Sequence, residues 1–352
     1  MKRDTDTSVS ATRKGQLGSG NEATGNIRPL ISIAMCTYNG EAYLSDQLVS
    51  IANQTYPLDE LVICDDGSTD NTLQVLDKFS KEAPFPVKVC RNEQRLGPTK
   101  NFEKAVSLCR GDFVFLSDQD DVWMPQKVDK LRQTLVNNPD AGYVFSDALI
   151  VDEALRPMGY TMWQSIKFTR RQRRQFEQGK QLAVLLKHNV VTGATMAFRA
   201  WLKSVILPVP DEYIHDEWIA LLASSVGMYG VLIDEPLIQY RQHPQQMIGG
   251  EKVIFAEQLK RASLTRGQSF ESLLHWEEVK YSKTLEQLTL TGQLENGVRR
   301  LFDGKIQHAR VRQSIHKHPR YARLFAVSRE FLALRYHRFS LGWKSAARDL
   351  LL

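Results

Sequence analysis

The stretch Phe113-Val-Phe-Leu-Ser-Asp-Gln-Asp-Asp-Val-Trp123 runs an apolar strand straight into three carboxylates, Asp118, Asp120 and Asp121. Carboxylates this close repel one another unless a cation neutralises them, and hard oxygen ligands at this spacing suit Mg2+ or Mn2+ carrying a phosphate. A solvated aspartate-rich turn is the competing reading, because strand-to-helix turns use Asp for capping. The surrounding chain decides between the two.

Upstream, short apolar runs alternate with helical patterns. Leu30–Met35 reads as a strand, Leu44, Leu48 and Ile51 mark a helix, and Glu60–Cys64 is a second strand. A helix after Thr69, a strand at Val87–Cys90, a helix from about Pro98 to Leu108 and the strand Phe113–Leu116 complete a βαβ rhythm. That rhythm predicts an α/β fold with a mostly parallel central sheet flanked by helices, its ligand at the carboxyl ends of the strands. Three polar clusters fall at those ends: Cys36-Thr-Tyr-Asn39, Asp65-Asp-Gly-Ser-Thr-Asp70 and Ser117-Asp-Gln-Asp-Asp121. Their convergence on one edge favours a ligand site over a solvated turn. Downstream, a helix is expected over Pro125–Val136 and a strand over Gly142–Phe145, and the pattern beyond residue 250 is helical throughout.

With 352 residues, 42% hydrophobic and 24% charged, the composition is that of a globular protein with room for one large or two smaller domains. No apolar run approaches the roughly 18 residues a membrane-spanning helix needs. Residues 1–28 are polar and aperiodic and read as a disordered tail; the Gly18-Ser-Gly20-Asn-Glu-Ala23 in it follows no strand and opens no helix, so it cannot act as a dinucleotide fingerprint. Cys36, Cys64, Cys90 and Cys109 sit in or beside apolar segments, form no CxxC pair and follow no secretory signal, so they read as reduced core thiols of a cytosolic protein. From Arg299 onward there are 13 Lys/Arg against 3 Asp/Glu, an excess of 10 in a chain of net charge +6. In that segment Tyr321, Leu324, Phe325, Phe331, Leu332 and Tyr336 recur at helical spacing. A basic amphipathic helix on an anionic membrane and a helix packed on the main domain both remain open. The run Arg170-Arg-Gln-Arg-Arg174 lacks interleaved aromatics and reads as an exposed helix face or loop; no nucleic-acid partner is expected.

The motifs Ile31-Ser-Ile-Ala-Met-Cys-Thr-Tyr-Asn39, Gln54-Thr-Tyr-Pro57, Leu61-Val-Ile-Cys-Asp-Asp-Gly-Ser-Thr-Asp70 and the Asp118/Asp120 pair, in this order, resemble the family 2 inverting glycosyltransferases of the GT-A nucleotide-diphospho-sugar transferase fold. The resemblance spans roughly residues 30–250, and Ser-Asp-Gln-Asp-Asp-Val-Trp looks most like rhamnosyltransferase-like bacterial members acting on cell-surface polysaccharides. It implies a GT-A domain over 29–250 and a basic helical C-terminal region over 251–352.

The resemblance also implies roles. Donor-binding residues are expected at Cys36, Tyr38, Asp65, Asp118 and Gly193, with Asp65 accepting from the base or ribose and Asp118 reaching the ribose or sugar. Asp120 is expected to hold the metal, Mg2+ or Mn2+, that bridges the donor phosphates, and His243 in Tyr240-Arg-Gln-His243 to complete its site. Asp121 is either a supporting ligand or a helix cap. Gly193, in Val191-Thr-Gly-Ala-Thr195, would let backbone approach the donor. Inversion needs a base on the acceptor side. In His215-Asp216-Glu217-Trp218 the family's first acid is replaced by His215; Asp216 is the expected base, Glu217 its rival, and Glu217 and Trp218 are expected to contact the acceptor. Trp123 and Trp218 are either sugar platforms or core aromatics.

The expected function is therefore metal-dependent, inverting transfer of a sugar from a nucleotide-diphosphate donor, of dTDP-rhamnose or UDP-sugar type, to a hydroxyl of a surface-glycan or polyprenyl-linked acceptor. The expected location is the cytoplasm, with peripheral contact at the inner face of the membrane if the C-terminal helices bind lipid. A catalytically inactive nucleotide-sugar or glycan-binding protein on the same fold is the alternative, kept alive by His215. A sugar-nucleotide pyrophosphorylase would need a Gly- and Lys/Arg-rich loop after the first strand, and Cys36-Thr-Tyr-Asn39 is not that loop.

Overall fold

In the computed structural model of the chain, residues 28–244, 270–290, 292 and 294–351 are described. The expected tail, except Arg28, and the expected domain boundary at 250 lie outside them. Nine strands form one sheet: β1 (Ile31–Thr37), β2 (Glu60–Asp65), β3 (Val87–Arg91), β4 (Phe113–Ser117), β5 (Val122–Trp123), β6 (Ala141–Val151), β7 (Pro157–Thr161), β8 (Met196–Arg199) and β9 (Tyr229–Arg241). Their order is β3-β2-β1-β4-β8-β6-β9-β5, with β7 on β6.

The first half of the sheet is parallel, as the βαβ rhythm requires, and β6/β9 is parallel too. The pairs β4/β8, β8/β6, β5/β9 and β6/β7 are antiparallel. The sheet is thus more mixed than the sequence suggests, because β5, β7 and β8 are too short to show a period. β6 continues past the expected Phe145 through Ser146 and Asp147, which interrupt its apolar run; its register to β9 shifts on either side of Asp147 and pairing then runs on to Val151.

Fourteen helices are described: α1 (Leu44–Ala52), α2 (Thr72–Glu82), α3 (Pro98–Leu108), α4 (Lys127–Asn137), α5 (Met162–Ser165), α6 (Arg170–Glu177), α7 (Gln181–Leu185), α8 (Lys203–Ile206), α9 (His215–Ser225), α10 (Phe270–Leu290), α11 (Asn296–Lys317), α12 (Arg320–Leu332), α13 (Arg335–Phe339) and α14 (Trp343–Leu351). Strand alternation sorts them into two layers. Ile31, Ile33, Met35, Ile63 and Phe115 face the side covered by Leu44, Leu48, Leu76 and Leu131 of α1, α2 and α4. Ala34, Val62, Cys64, Val114 and Leu116 face the other, covered by Phe102 of α3, Leu185 of α7 and Trp218 of α9. Tyr281 of α10 and Phe302 of α11 join this second core. All four cysteines are free thiols. The arginine run 170–174 forms α6, started by a Thr169 capping box, with the Arg173 guanidinium over the Trp163 ring.

Among the described residues no helix is long and apolar enough to cross a membrane. The exposed face of α12 carries Tyr321, Leu324, Phe325 and Leu332, which are 58–81% exposed, while Val327 and Glu330 are buried on the opposite side. Tyr336 departs from the expected stripe: it is fully buried in α13, its hydroxyl donating to Asp349.

Candidate active site

The strand ends Thr37, Asp65 and Ser117 lie side by side because β2-β1-β4 are in parallel register. β2 lies on one side of β1 and β4 on the other, so the three polar clusters open at the point where the connections diverge.

The β1 and β4 loops are stitched together by Gln119, whose carboxamide accepts from Tyr38 N–H at 2.8 Å and donates to the Tyr38 carbonyl at 3.1 Å. A Cβ on Gly40 would lie 2.3 Å from Gln119 Oε1, so this stitch requires glycine there. The half-buried Tyr38 ring carries the Arg95 guanidinium at 3.8 Å, a flat and cationic surface at the crevice edge. Cys36 is half-buried, and burial pushes its thiol up, so it is neutral.

Asp65 does not fit the expected role of accepting from the donor. It is fully buried, and its oxygens accept from Gly67 N–H, Ser68 N–H, Ser68 Oγ and Thr37 Oγ1. A carboxylate offers about four lone-pair sites, and all are taken. Asp65 builds the loop; Asp66 likewise holds Leu96 N–H and Gly97 N–H at the start of α3.

The acid cluster after β4 is electrostatically loaded. Burial first, then the charges of Asp120 and Asp216, push Asp118 up to about 7; among the described residues its carboxylate accepts no hydrogen bond. Burial, then the charges of Asp120 and Asp118, raise Asp121, which is fully buried and whose Oδ2 has no partner among the described residues. Asp120 Oδ2 lies 2.8 Å from His243 Nε2, and the His243 ring packs tilted against Tyr43 at 4.7 Å, its buried Nδ1 without a partner among the described residues.

Two buried cations that sequence reasoning missed flank these acids. Lys127, at the start of α4, places Nζ 2.6 Å from the Ala194 carbonyl and 3.3 Å from the centre of the Trp123 ring, and burial lowers its pKa. Arg241 donates through Nε to the Asp120 carbonyl, through Nη1 to the Glu153 carbonyl and through Nη2 to Asp46. Neither is marked as such in the sequence, because only the tertiary fold brings the two side chains to the acids.

These residues fit a divalent cation. Asp120 and His243 converge, and the raised Asp118 and Asp121 mark uncompensated negative charge. Among the described residues no group of three or more His, Cys, Asp or Glu forms a cage. The Asp120–His243 pair would suit an ion held by one or two protein ligands plus substrate phosphates.

On the other wall, Asp216 sits in the first turn of α9. Its Oδ2 accepts from Gly193 N–H at 2.8 Å and its Oδ1 from Asn189 and Glu217 N–H. Burial outweighs these bonds and pushes Asp216 up to about 6. Its charge acts on both Asp118 and Tyr240, so the two walls face one crevice. Gly193 is required for a different reason from the expected one. A Cβ there would lie 2.9 Å from His215 Nε2 and 3.5 Å from Asp216 Oδ2, so glycine makes room for α9, and its N–H is committed to Asp216. His215 stacks on Phe102 at 3.9 Å, and burial pushes it down to about 3, leaving a neutral ring where the resembling family has an acid.

Two expected acceptor contacts are corrected. Trp218 is fully buried, its indole N–H donates to the Ile206 carbonyl at 2.6 Å, and its ring packs on Tyr213; it is a core residue. Trp123 is likewise buried. Glu217 points to α10, where Lys280 Nζ lies 2.6 Å from both its oxygens, so it is neither a free base nor an acceptor contact.

Residues 32–205 match the family described as Glycosyl transferase family 2. The dTDP-rhamnosyl transferase RfbG of Shigella flexneri is 29% identical over 240 residues, 66% of this chain and 80% of that protein. Seven further curated relatives are each matched over less than half of their own length. Among solved structures, S. aureus TarS 1-349 in complex with UDP-GlcNAc superposes with a TM-score of 0.55 at 15% identity, covering 91% of this chain and 89% of that one. The mannosyltransferase PcManGT from Pyrobaculum calidifontis in complex with GDP-Man and Mn2+ gives 0.51 at 18%, covering 92% and 79%. These likenesses show the fold.

Proposed function

The chain belongs to glycosyl transferase family 2 and is a glycosyltransferase, and from that premise we propose that it performs inverting transfer from a nucleotide-diphosphate sugar, of dTDP-rhamnose or UDP-sugar type, to a hydroxyl of a surface-glycan or lipid-linked acceptor. The observation that carries this reading is Asp216, a carboxylate fixed by Gly193 and Asn189, raised to about 6 and facing the same crevice as Asp118. A base with that pKa is ionised at neutral pH yet keeps proton affinity, which is what general-base catalysis needs.

Asp216 takes the proton of the acceptor hydroxyl as that oxygen bonds to the anomeric carbon. The bond from this carbon to the diphosphate oxygen breaks, the nucleoside diphosphate leaves with the electron pair, and the configuration inverts through an oxocarbenium-like transition state. Asp118 lies free to accept from donor hydroxyls, and Tyr38 with Arg95 offers a stacking, cationic face to base or phosphate. Asp120 and His243 would hold a divalent cation, which when bound offsets the charge developing on the leaving diphosphate. The apolar stripe of α12, in a segment with a net excess of arginine and lysine, supports seating on an anionic bilayer, where a lipid-linked acceptor lies.

The test is Asp216→Asn. It should abolish release of nucleoside diphosphate from dTDP-rhamnose or UDP-glucose while calorimetric binding of dTDP or UDP with Mn2+ is kept. Undiminished turnover in Asp216→Asn overturns the assignment of the base. Absence of binding to UDP, dTDP and GDP with and without Mn2+ overturns the donor class.

A further inference from the structure

Helix α10 lies outside the residues matched by the family, yet it reaches the residue beside the base. Lys280 is 3% exposed, and its Nζ bonds both oxygens of Glu217, the residue after Asp216. Three rings enclose this ammonium: Tyr213 at 4.3 Å, Trp276 at 4.5 Å and Tyr281 at 5.7 Å. A second link runs beside it, between the Tyr213 hydroxyl and Thr284. Tyr213 in turn packs on Trp218, one helical turn into α9. The start of α9 is therefore clamped to α10 by one buried ion pair and one hydroxyl pair.

We propose that Lys280 is a positioning residue for Asp216: by drawing Glu217 into the α9/α10 seam and neutralising it there, it leaves Asp216 as the single carboxylate of this turn facing the acceptor.

This rests on Asp216 being the base. The groups facing Asp216 are Glu217 and the neighbouring His215 from α9, Asn189 and Gly193 from the segment before β8, Asp118 from the end of β4 and Tyr240 from β9. His215 is neutral and Gly193 and Asn189 only donate. Lys280 thus governs whether the charge adjacent in sequence is compensated. A buried pair that loses one partner leaves an uncompensated charge, whereas replacing both with neutral groups is often tolerated. With Lys280 gone, the bare Glu217 carboxylate disfavours ionisation of Asp216, so the acid limb of the rate profile moves to higher pH. The sign follows because a neighbouring negative charge raises a carboxyl pKa.

The experiment compares full-length wild type, Lys280→Met, Lys280→Arg and Lys280→Met/Glu217→Gln. Nucleoside diphosphate release from dTDP-rhamnose or UDP-glucose is followed between pH 5 and 8, alongside thermal unfolding and nucleotide binding. Lys280→Met should shift the acid limb up on the order of one pH unit and lower kcat more than it raises donor KM. Lys280→Arg should restore the limb in part, and the neutral double variant should return it to the wild-type position. A folded Lys280→Met with an unmoved limb overturns the proposal. If Lys280→Met does not fold, the double variant decides: a displaced limb there overturns it. If Asp216→Asn keeps full turnover, it is the assignment of the base that has failed; if it does not, an unmoved limb in Lys280→Met counts against Lys280 alone.

Discussion

Substituting Gly193 by Ala tests how closely the base is held. The new Cβ would stand 2.9 Å from His215 Nε2, about half an ångström inside ordinary contact, and 3.5 Å from the Asp216 carboxylate. His215 cannot simply recede, because its ring is stacked on Phe102 at 3.9 Å. The start of α9 must therefore shift, and overpacking of this kind costs about 1–3 kcal/mol. At about 2–4 °C per kcal/mol, Tm should fall by roughly 2–12 °C. A displacement of Asp216 by part of an ångström should lower kcat about tenfold to a hundredfold, with donor KM little changed. A cycle with His215→Ala should recover part of both losses, as a coupling of about 0.5–3 kcal/mol between neighbours. Differential scanning fluorimetry and nucleotide-release kinetics read the two quantities. If Gly193→Ala instead raises donor KM with kcat intact, and His215→Ala rescues nothing, then Gly193 faces the donor and the packing argument is wrong.

Metal binding should couple to pH. Asp118, pushed up to about 7, and Asp121, also raised, hold protons in the folded state that they release near 4 when unfolded. Stability of the metal-free protein should therefore fall as pH rises from about 4 to about 7, and the Mn2+-induced rise in Tm should be larger at pH 8 than at pH 5.5; an equal rise at both, or an undiminished one in Asp120→Ala, refutes the site. For the membrane surface, Phe325→Asp with Leu332→Asp should leave circular dichroism unchanged, since both side chains are exposed. The same pair should weaken co-sedimentation with phosphatidylglycerol vesicles by at least about tenfold per residue, taking about 1.5–3 kcal/mol per buried apolar side chain; unaltered sedimentation removes the stripe from the interface.

The sequence made the donor side of the crevice legible because its groups sit at strand ends, and strand ends are marked by a short apolar run stopping at polar residues. Phe113–Ser117 and its acids are the clearest case. What pattern cannot report is which way a side chain turns once helices pack. Trp218 and Glu217 follow Asp216 directly, yet one enters the core beneath Tyr213 and the other crosses to α10. Asp65 was visible as a strand-end acid, but not that Thr37, Gly67 and Ser68 would fill its lone pairs. Lys127 and Arg241 reach the acids from positions that only the tertiary fold brings close.

Arg241 joins the crevice to the end of the sheet, and its partner Asp46 lies 195 residues earlier. On a ribosome adding about 5–20 residues per second, roughly 10–40 s separate the emergence of the two. Through that interval β1 to β4 can pair locally, but the carboxylates after β4 have neither the guanidinium behind Asp120 nor the imidazole of His243. The acid cluster of a nascent chain therefore stays hydrated and open until β9 is threaded between β6 and β5. Premature termination before residue 229 would release a sheet lacking the strand between β6 and β5, with the acid cluster after β4 unshielded.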